Sequence, residues 1–309
     1  MVTQTRRPLL RELAALAIRC GGASLLARHM LARGKVTIIL YHDPTPEHFE
    51  RHLRYLSGRF QFTTMAALDH AYASGDWSGL PARGLIVTFD DGHRGNHRLL
   101  PLFRRFGLRP TIFLVSGVVG TERHYWFAHD GVKSNALKGL PDDERLRRLE
   151  AQFGFTETRE YTGDRQGLSL DEIRDMAPHV DFEAHTRFHP ILPACGNDKS
   201  RAEIQDGRID LEQLLGRPVR YFSYPNGEYC DRDVEHVRTS GFRLARTIDV
   251  GWNGPNTDPF RLRIAGVTDD ASVNVLAAQL SGVSMYLRYR LRGGRGGRFP
   301  ASNPHRGTT

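Results

Sequence analysis

The sequence predicts an α/β barrel, because short apolar segments alternate with helical segments along most of the chain. Several apolar segments lack polar alternation, as is typical of strands buried on both faces of a parallel sheet. Seven or eight β/α units in about 230 residues favour a closed barrel over an open sheet. The predicted strands are Val36–Tyr41, Phe60–Thr64, Leu85–Phe89, Thr111–Val115, Val180–Ala184, Val219–Tyr224, Phe242–Ile248 and Leu262–Val267.

Helical segments separate most of these strands, which makes the predicted sheet parallel. In a parallel barrel the carboxyl ends of all strands meet at one end, where active sites collect. Polar motifs that follow the strands are therefore the first candidates for chemistry. The predicted helices are Pro46–Leu56, Leu99–Phe106, Leu170–Ala177, Ala202–Leu215 and Asp231–Ser240.

Charge divides the 309 residues into three predicted parts. Residues 1–35 form a basic amphipathic helical arm with a net charge of +6, and residues 286–309 form a basic disordered tail, also +6. The barrel, residues 36–285, carries −4. The positive net charge of the protein therefore comes from its two ends and is no evidence for a nucleic-acid groove in the barrel. The favoured interpretation of the arm is a helix packed on the main domain, and peripheral contact of the basic ends with an anionic membrane surface is the alternative.

Three further observations predict a cytoplasmic protein, with possible association at the inner membrane face. The three cysteines are an odd number without paired spacing, which excludes a disulfide framework and favours a reducing compartment. The apolar run Leu13–Ile18 is too short for a secretory signal. No stretch approaches 18 uncharged apolar residues, so no membrane-spanning helix is predicted.

A long insertion, residues 117–168, separates two of the predicted strands. It contains the aromatic cluster His124-Tyr125-Trp126-Phe127 and a charged helix, Asp142–Gln152. Connections of this length often cover a substrate site, and we expect this one to do so.

The first chemical motif is Asp90-Asp91-Gly92, directly after a predicted strand. Two adjacent carboxylates at the end of a buried strand repel each other unless a cation lies beside them. Gly92 permits a sharp turn and a close approach of backbone to a ligand. The alternative is that one of the two carboxylates simply caps the next helix.

The second motif is His185 and His189, four residues apart after another predicted strand. A lone histidine would most often be structural, but this pair can present both imidazoles to one point. Two histidines and one aspartate give a three-ligand site with open positions, as catalytic zinc requires. The same ligand set also describes non-haem iron oxygenases, although oxygen chemistry would not need the second carboxylate.

The third motif is the segment Ser223-Tyr224-Pro225-Asn226-Gly227, again at a predicted strand end. Proline and glycine fix a tight loop, which could direct a backbone N–H at a developing oxyanion. Alone this motif is weak, and an ordinary turn is its default interpretation.

Together with Tyr41-His42-Asp43, the three motifs in this order resemble the polysaccharide deacetylase (NodB homology) family, carbohydrate esterase family 4. The resemblance covers roughly residues 36–268. It implies a distorted (β/α)7 barrel of the TIM type, a divalent metal and hydrolysis of an N-acetyl group on an amino sugar.

Carried over by position, the resemblance implies that Asp90 is the general base. It makes Asp91, His185 and His189 the ligands of a metal, zinc first and cobalt, nickel or manganese as alternatives. The backbone N–H of Asn226 matches the family's oxyanion donor. The implied substrate-binding residues are Tyr224, Pro225, Gly227 and Trp252.

Two family features are missing from this sequence. Ser223 stands where many members have an arginine that holds the base, and Arg263 or Arg261 are candidates to replace it. The late Leu-x-His motif, which supplies the general acid, is absent, since no histidine lies between His236 and His305. Asp249 and Trp252 could match the motif that orients that histidine. His42 is the candidate substitute acid.

These observations favour a metal-dependent hydrolase that removes an acetyl or similar acyl group from an amino sugar. The substrate would be a polysaccharide, an oligosaccharide or a lipid-linked glycan. A non-catalytic glycan-binding relative is one alternative, favoured by the missing histidine and arginine. Hydrolysis of a non-sugar amide C–N bond is the other.

Overall fold

The computed structural model of the protein describes residues 34–281, together with Glu12, Ala15 and Leu16. Apart from these few positions, the helical arm predicted for residues 1–35 lies outside the described residues, as does the tail predicted for residues 286–309. Ala15 is buried against the main core, and the Glu12 carboxylate accepts a hydrogen bond from Ser272 Oγ at 2.7 Å. None of the described helices is long and apolar enough to cross a membrane.

Eight strands alternate with helices along the described chain. The strands are β1 (Thr37–Tyr41), β2 (Gln61–Phe62), β3 (Gly84–Phe89), β4 (Thr111–Leu114), β5 (Asp181–Ala184), β6 (Tyr221–Ser223), β7 (Leu244–Val250) and β8 (Leu262–Gly266). The α-helices are α1 (Pro46–Ser57), α2 (Met65–Ser74), α3 (Leu100–Phe106), α4 (Ser134–Leu137), α5 (Asp142–Phe153), α6 (Leu170–Met176), α7 (Asn197–Leu215), α8 (Asp231–Thr239) and α9 (Val273–Gln279). The sequence did not predict α2, α4 or α9.

Seven of the strands close into a parallel barrel. β1 pairs with both β3 and β8, and the order from β8 to β3 runs through β7, β6, β5 and β4. The short β2 pairs with β3 and takes no part in the closure. The predicted fold class, a seven-stranded β/α barrel, is therefore confirmed, and the predicted strand Phe60–Thr64 is this additional edge.

Alternation along the strands separates two apolar layers. One row of side chains packs inside the barrel, as Ile38 of β1, Ile86 of β3 and Leu244 of β7 do. The other row faces the helices, where Ile39 and Val87 pack with Phe49 of α1. This alternation decides which residues can enter a site at the end of the barrel, because only the inward row continues into it.

The segment predicted as an insertion lies between β4 and β5. It contains α4 and α5, and α5 corresponds to the charged helix predicted there. Trp126, Leu137, Leu149 and Phe155 form a small core of its own, which also includes Ile191 from the loop after β5. The insertion is thus packed against the carboxyl ends of the strands.

Candidate active site

Asp91, His185 and His189 lie together at the carboxyl ends of β3 and β5. All three are buried, and one ligand atom from each lies within 4.8 Å of the others. His185 Nε2 is 3.5 Å and His189 Nε2 is 3.3 Å from Asp91 Oδ1. The structure therefore brings together the three residues that the family resemblance implied as metal ligands.

The two imidazoles direct their Nε2 atoms at Asp91. His185 Nδ1 donates a hydrogen bond to the Ser223 carbonyl at 2.7 Å, which leaves its Nε2 free of a proton. Burial lowers the pKa of His189 to about 3, against the opposing effect of Asp91, so this ring is neutral.

These donor atoms fit a divalent cation. Asp91 Oδ1 is buried without a hydrogen-bond partner, although it faces both Nε2 atoms. Burial opposes the charge of Asp91, but the nearby histidines outweigh it and hold the pKa of the carboxyl well below its usual range. A carboxylate oxygen and two imidazole nitrogens around one point are the donor set of a catalytic zinc site.

Left-handed turns carry the ligands. Asp91 has φ 70°, followed by Gly92 at 75°, and Thr186 and His189 have φ 64° and 58°. Strand alternation alone would direct Asp91 away from Asp90, and the turn brings its carboxylate to the histidines. Non-glycine residues rarely adopt these angles, so surrounding contacts must hold them.

Helix α7 supports the loop between the two histidines. Glu203 Oε2 accepts hydrogen bonds from the backbone N–H groups of Arg187 and Phe188, at 3.0 and 2.8 Å. Gly207 lets the helix come close, because a Cβ there would lie 2.9 Å from the Arg187 nitrogen. The support that α7 gives to this loop thus depends on the buried carboxylate of Glu203 and on the absence of a side chain at Gly207.

Asp90 lies beside the ligand cluster and is held by protein groups. Its carboxylate contacts the Arg246 guanidinium, and Ser223 Oγ donates to Asp90 Oδ1 at 3.3 Å. Burial opposes ionisation, but the charges of Arg246, His185 and His42 together outweigh it and lower the pKa of Asp90. His185 Nε2 is 3.8 Å from Asp90 Oδ2, so this carboxylate adjoins the cluster without being one of its three members.

The arginine against Asp90 is Arg246, and the prediction of Arg263 or Arg261 was wrong. Arg263 alternates with the inward-facing Leu262 and Ile264, so it points away from the barrel interior. Arg261 is occupied elsewhere, since it pairs with Asp258 and Asp231.

The loop after β6 has the predicted tight geometry. Asn226 adopts φ 53° and Gly227 φ 68°, and Pro225 and Gly227 are buried. The neighbouring N–H groups of Gly227 and Glu228 donate to loop carbonyls, whereas Asn226 Nδ2 is buried without a partner.

Two residues that the resemblance implied for substrate binding lie outside the site. Tyr224 points outward into the main core, where its hydroxyl donates to the Phe260 carbonyl at 3.1 Å. Trp252 also packs against that core, with the Lys35 ammonium 6.0 Å from its ring. Both side chains lie on the helix-facing side of the barrel wall. The implied role of Tyr224 and Trp252 in substrate binding is therefore wrong. Asp249 accepts a hydrogen bond from Tyr229 at 2.8 Å.

His42 is exposed at the end of β1. Its backbone N–H donates to Asp269, and its carbonyl accepts from Asn96. The charge of its ring acts on Asp90 in the direction that lowers the pKa of that carboxyl. His42 therefore remains at the same end of the barrel as the cluster.

Sequence reasoning missed Arg246, His93 and Glu203. His93 Nε2 donates to Asp91 Oδ2 at 3.1 Å. Burial lowers the pKa of His93, but this bond and the nearby carboxylate charges together outweigh it and raise the pKa. A signal for Arg246 was present, because it stands two residues after Leu244 in an apolar strand and so continues the inward row. Nothing local marked Glu203, whose partners lie in a distant loop.

Comparison with known proteins identifies the family of the chain. The profile of the polysaccharide deacetylase family matches residues 79–245. The Bacillus subtilis (strain 168) protein named "Putative polysaccharide deacetylase YxkH" is 18% identical over 257 residues, which is 80% of this chain and 76% of that protein.

Solved structures share the fold at low identity. The deacetylase PplD of Streptococcus pyogenes, in complex with acetate, has a TM-score of 0.59 and 17% identity over 79% of this chain and 98% of its own. IcaB from Ammonifex degensii has a TM-score of 0.59 and 22% identity over 79% and 97%. Fold and site define a barrel hydrolase with clustered carboxylates and histidines. The chain belongs to the polysaccharide deacetylase family, and its enzyme class is that of the carbohydrate N-deacetylases.

Proposed function

We propose that this protein is a metal-dependent hydrolase that removes an acetyl or similar acyl group from the amino sugar of a glycan. The observation that carries the proposal is the convergence of Asp91, His185 and His189 next to Asp90. A carboxylate that is adjacent to the ligand set, yet held by Arg246, is suited to accept a proton. A site that only bound a metal would not need it.

The proposed ligands are Asp91 Oδ1 and the Nε2 atoms of His185 and His189. Two imidazoles and one carboxylate favour zinc, with cobalt, nickel and manganese as alternatives. When bound, such an ion supplies a water of lowered pKa and polarises the amide carbonyl.

The protein's own residues then have distinct tasks. Asp90 accepts the proton of the attacking water, and Arg246 keeps Asp90 ionised and fixed in orientation. The backbone N–H of Asn226 donates to the oxyanion that develops at the acyl oxygen. His42 gives a proton to the amine that leaves.

Acyl release from defined substrates tests the activity. The protein would be incubated with N-acylated polysaccharides, oligosaccharides and lipid-linked glycans, and with non-sugar amides, and acetate or formate would be measured. We expect release from at least one amino-sugar substrate and none with Asp91→Ala. Acyl release only from the non-sugar amides would show that the protein hydrolyses amides of that class instead of amino sugars.

A glycan-binding protein without catalysis is the second candidate, because no histidine lies between His236 and His305 to act as the usual acid. The pair Asp90–Arg246 argues for catalysis, since a binding protein has no use for a buried base. Saturable glycan binding with no release from any substrate would favour this second candidate.

His42→Gln tests the substitute acid. Loss of a general acid typically lowers the rate by about 10²–10⁴-fold. Since the acid serves the leaving amine, activated substrates with a better leaving group should be affected less than natural ones. A variant with wild-type turnover on both kinds of substrate would exclude His42.

We also propose that the protein acts at the cytoplasmic face of an anionic membrane, where its basic ends would hold it. Residues 1–35 and 286–309 each carry +6. Each basic residue near such a surface contributes about 1 kcal/mol at low salt. Replacing the terminal arginines with glutamine should reduce sedimentation with anionic vesicles. Equal sedimentation of both proteins would contradict this.

A further inference from the structure

Three consecutive residues of the insertion touch the residues that we propose as metal ligands. Tyr125 Oη donates to the backbone carbonyl of Asp91 at 3.0 Å. Trp126 Nε1 donates to the backbone carbonyl of His189 at 2.8 Å. The Phe127 ring lies against the His189 ring, with centroids 4.7 Å apart. One short segment therefore reaches ligands that follow two different strands.

These contacts fall on the turns that are hardest to maintain. Asp91 and His189 are the two ligands whose own φ is left-handed, 70° and 58°. A hydrogen bond to the carbonyl of such a residue fixes the orientation of the following peptide and so stabilises the turn. Tyr125 and Trp126 are both buried, so neither bond competes with water.

The same segment also orients the donor atoms. The ring of Tyr125 packs edge-on against His93, with centroids 5.0 Å apart, and His93 in turn bonds Asp91 Oδ2. This contact leaves Asp91 Oδ1 as the atom that faces the histidines. Phe127 limits rotation of the His189 imidazole, whose Nδ1 has no hydrogen-bond partner to fix it.

The insertion is itself anchored to the ligand loops on both sides. At its start, Gly117 N–H donates to the Arg187 carbonyl at 2.8 Å. At its end, Leu168 N–H donates to the Gly92 carbonyl at 2.9 Å. Its segment Tyr125–Phe127 is therefore held relative to both turns, as a rigid support requires.

We propose that Tyr125, Trp126 and Phe127 are positioning residues of the metal centre, which makes the insertion a structural part of that centre as well as its cover. The inference rests on the proposed metal-dependent function. Outer partners of metal ligands typically change metal affinity by about 10–100-fold when they are removed. We expect a loss in this range for Tyr125→Phe and for Trp126→Phe.

Metal binding by the full-length protein provides the test. Chelator-treated protein would be titrated with Zn²⁺ in competition with a chromophoric chelator, and with Co²⁺ while its visible absorption is recorded. The expected result is about tenfold weaker affinity or more and a changed Co²⁺ spectrum in both variants. Affinity within about twofold of wild type, with an unchanged spectrum, would overturn the proposal.

Matched controls separate positioning from general stability. Tyr161→Phe removes a hydroxyl in the same insertion, one that contacts Thr156 and Gly154 but none of the ligands. Trp77→Phe shortens a partly buried tryptophan that packs against Tyr72 at the edge of the inner core, away from the site. Both controls should bind metal like wild type, and thermal unfolding should be compared across all four variants.

Two outcomes have different meanings. If the wild-type protein itself shows no saturable binding of Zn²⁺ or Co²⁺, the proposed metal-dependent function fails. If the wild type binds and Tyr125→Phe binds equally well, only the positioning role fails. Tyr125→Phe removes a single oxygen atom, so it decides the matter even if Trp126→Phe does not fold.

Discussion

The half of the site that carries Asp91, His185 and His189 is made from turns, whereas the half that holds Asp90 is made from regular strands. In the first, or ligand half, Asp91, Thr186 and His189 have left-handed φ angles. In the second, or base half, Ser223 and Arg246 simply continue the inward rows of β6 and β7.

The two halves therefore differ in what supports them. Each left-handed non-glycine residue costs on the order of 1–3 kcal/mol, which neighbouring contacts must offset. The insertion and α7 supply those contacts. The base half needs only the barrel itself, since β6 and β7 pair in register from Tyr221–Leu244 to Ser223–Arg246. Changes to the two halves should consequently give different signatures.

Breaking the ligand half should have the largest effect. We expect Asp91→Ala, and the double variant His185→Ala/His189→Ala, to lose bound metal and acyl release together, because each removes donor atoms from one cluster. Metal content by elemental analysis and turnover would be measured on the same samples. Full metal occupancy in the double variant would contradict the ligand assignment.

Removing the base should lower turnover without changing metal content. Asp90→Asn keeps the volume but cannot accept a proton, so turnover should fall by about 10²–10⁴-fold while metal content stays at the wild-type level. Glycan binding should also persist, because the ligand cluster and the Asn226 loop remain. Loss of metal in this variant would make Asp90 a ligand, and near-normal turnover would remove it as the base.

Arg246→Met should destabilise the base half, because it removes the cation that holds Asp90. The substitution leaves the Asp90 carboxylate buried without its cation, which typically destabilises a protein by about 3–5 kcal/mol. Metal content should be retained. In the double variant Asp90→Asn/Arg246→Met the uncompensated charge is absent, so the free energy of unfolding should recover part of the loss.

Chemical denaturation of the wild type, both single variants and the double variant gives the coupling energy. An additive double variant would mean that the contact between Asp90 and Arg246 contributes nothing to stability. The same proteins report turnover, which separates support of the base from support of the fold.

The contrast between the halves also explains what could be predicted from sequence. The ligand half lies in two contiguous motifs, so Asp91, His185 and His189 are recognisable from the order of residues along the chain. Arg246 was missed because its partner, Asp90, is 156 positions away and the contact exists only once the barrel closes. Alternation on β8 would already have excluded Arg263, whose neighbours Leu262 and Ile264 face inward.

Strands and helices were likewise predictable where the sequence pattern was local and strong. All eight strands were predicted, most of them because buried parallel strands are continuous apolar runs. Helix α2 was missed because its sequence, rich in alanine, shows only a weak separation of apolar and polar faces. Tyr224 and Trp252 were misplaced because a motif gives the order of residues along the chain but not the side of the barrel wall that each one faces.

We expect the smallest effect from a change at Gly207 of α7, which contacts the ligand loop but none of the proposed metal ligands. Gly207→Ala would normally stabilise a helix by roughly 1 kcal/mol. Here the new Cβ would lie 2.9 Å from the Arg187 nitrogen and from the Thr186 carbonyl carbon, both backbone atoms of the ligand loop. We therefore expect the opposite sign, a destabilisation of about 1–3 kcal/mol, with weaker metal binding.

Gly139→Ala, in the turn after α4, is the control for the added methyl group, because nothing lies within 4 Å of its added Cβ and its φ is not left-handed. The free energy of unfolding and the Zn²⁺ affinity would be measured for both variants. Since α7 contacts the ligand half and Asp90 is held by strands, Gly207→Ala should weaken metal affinity, and its remaining metal-loaded fraction should turn over normally. A variant as stable as wild type, with unchanged affinity, would show that the loop between the histidines does not depend on the close approach of α7.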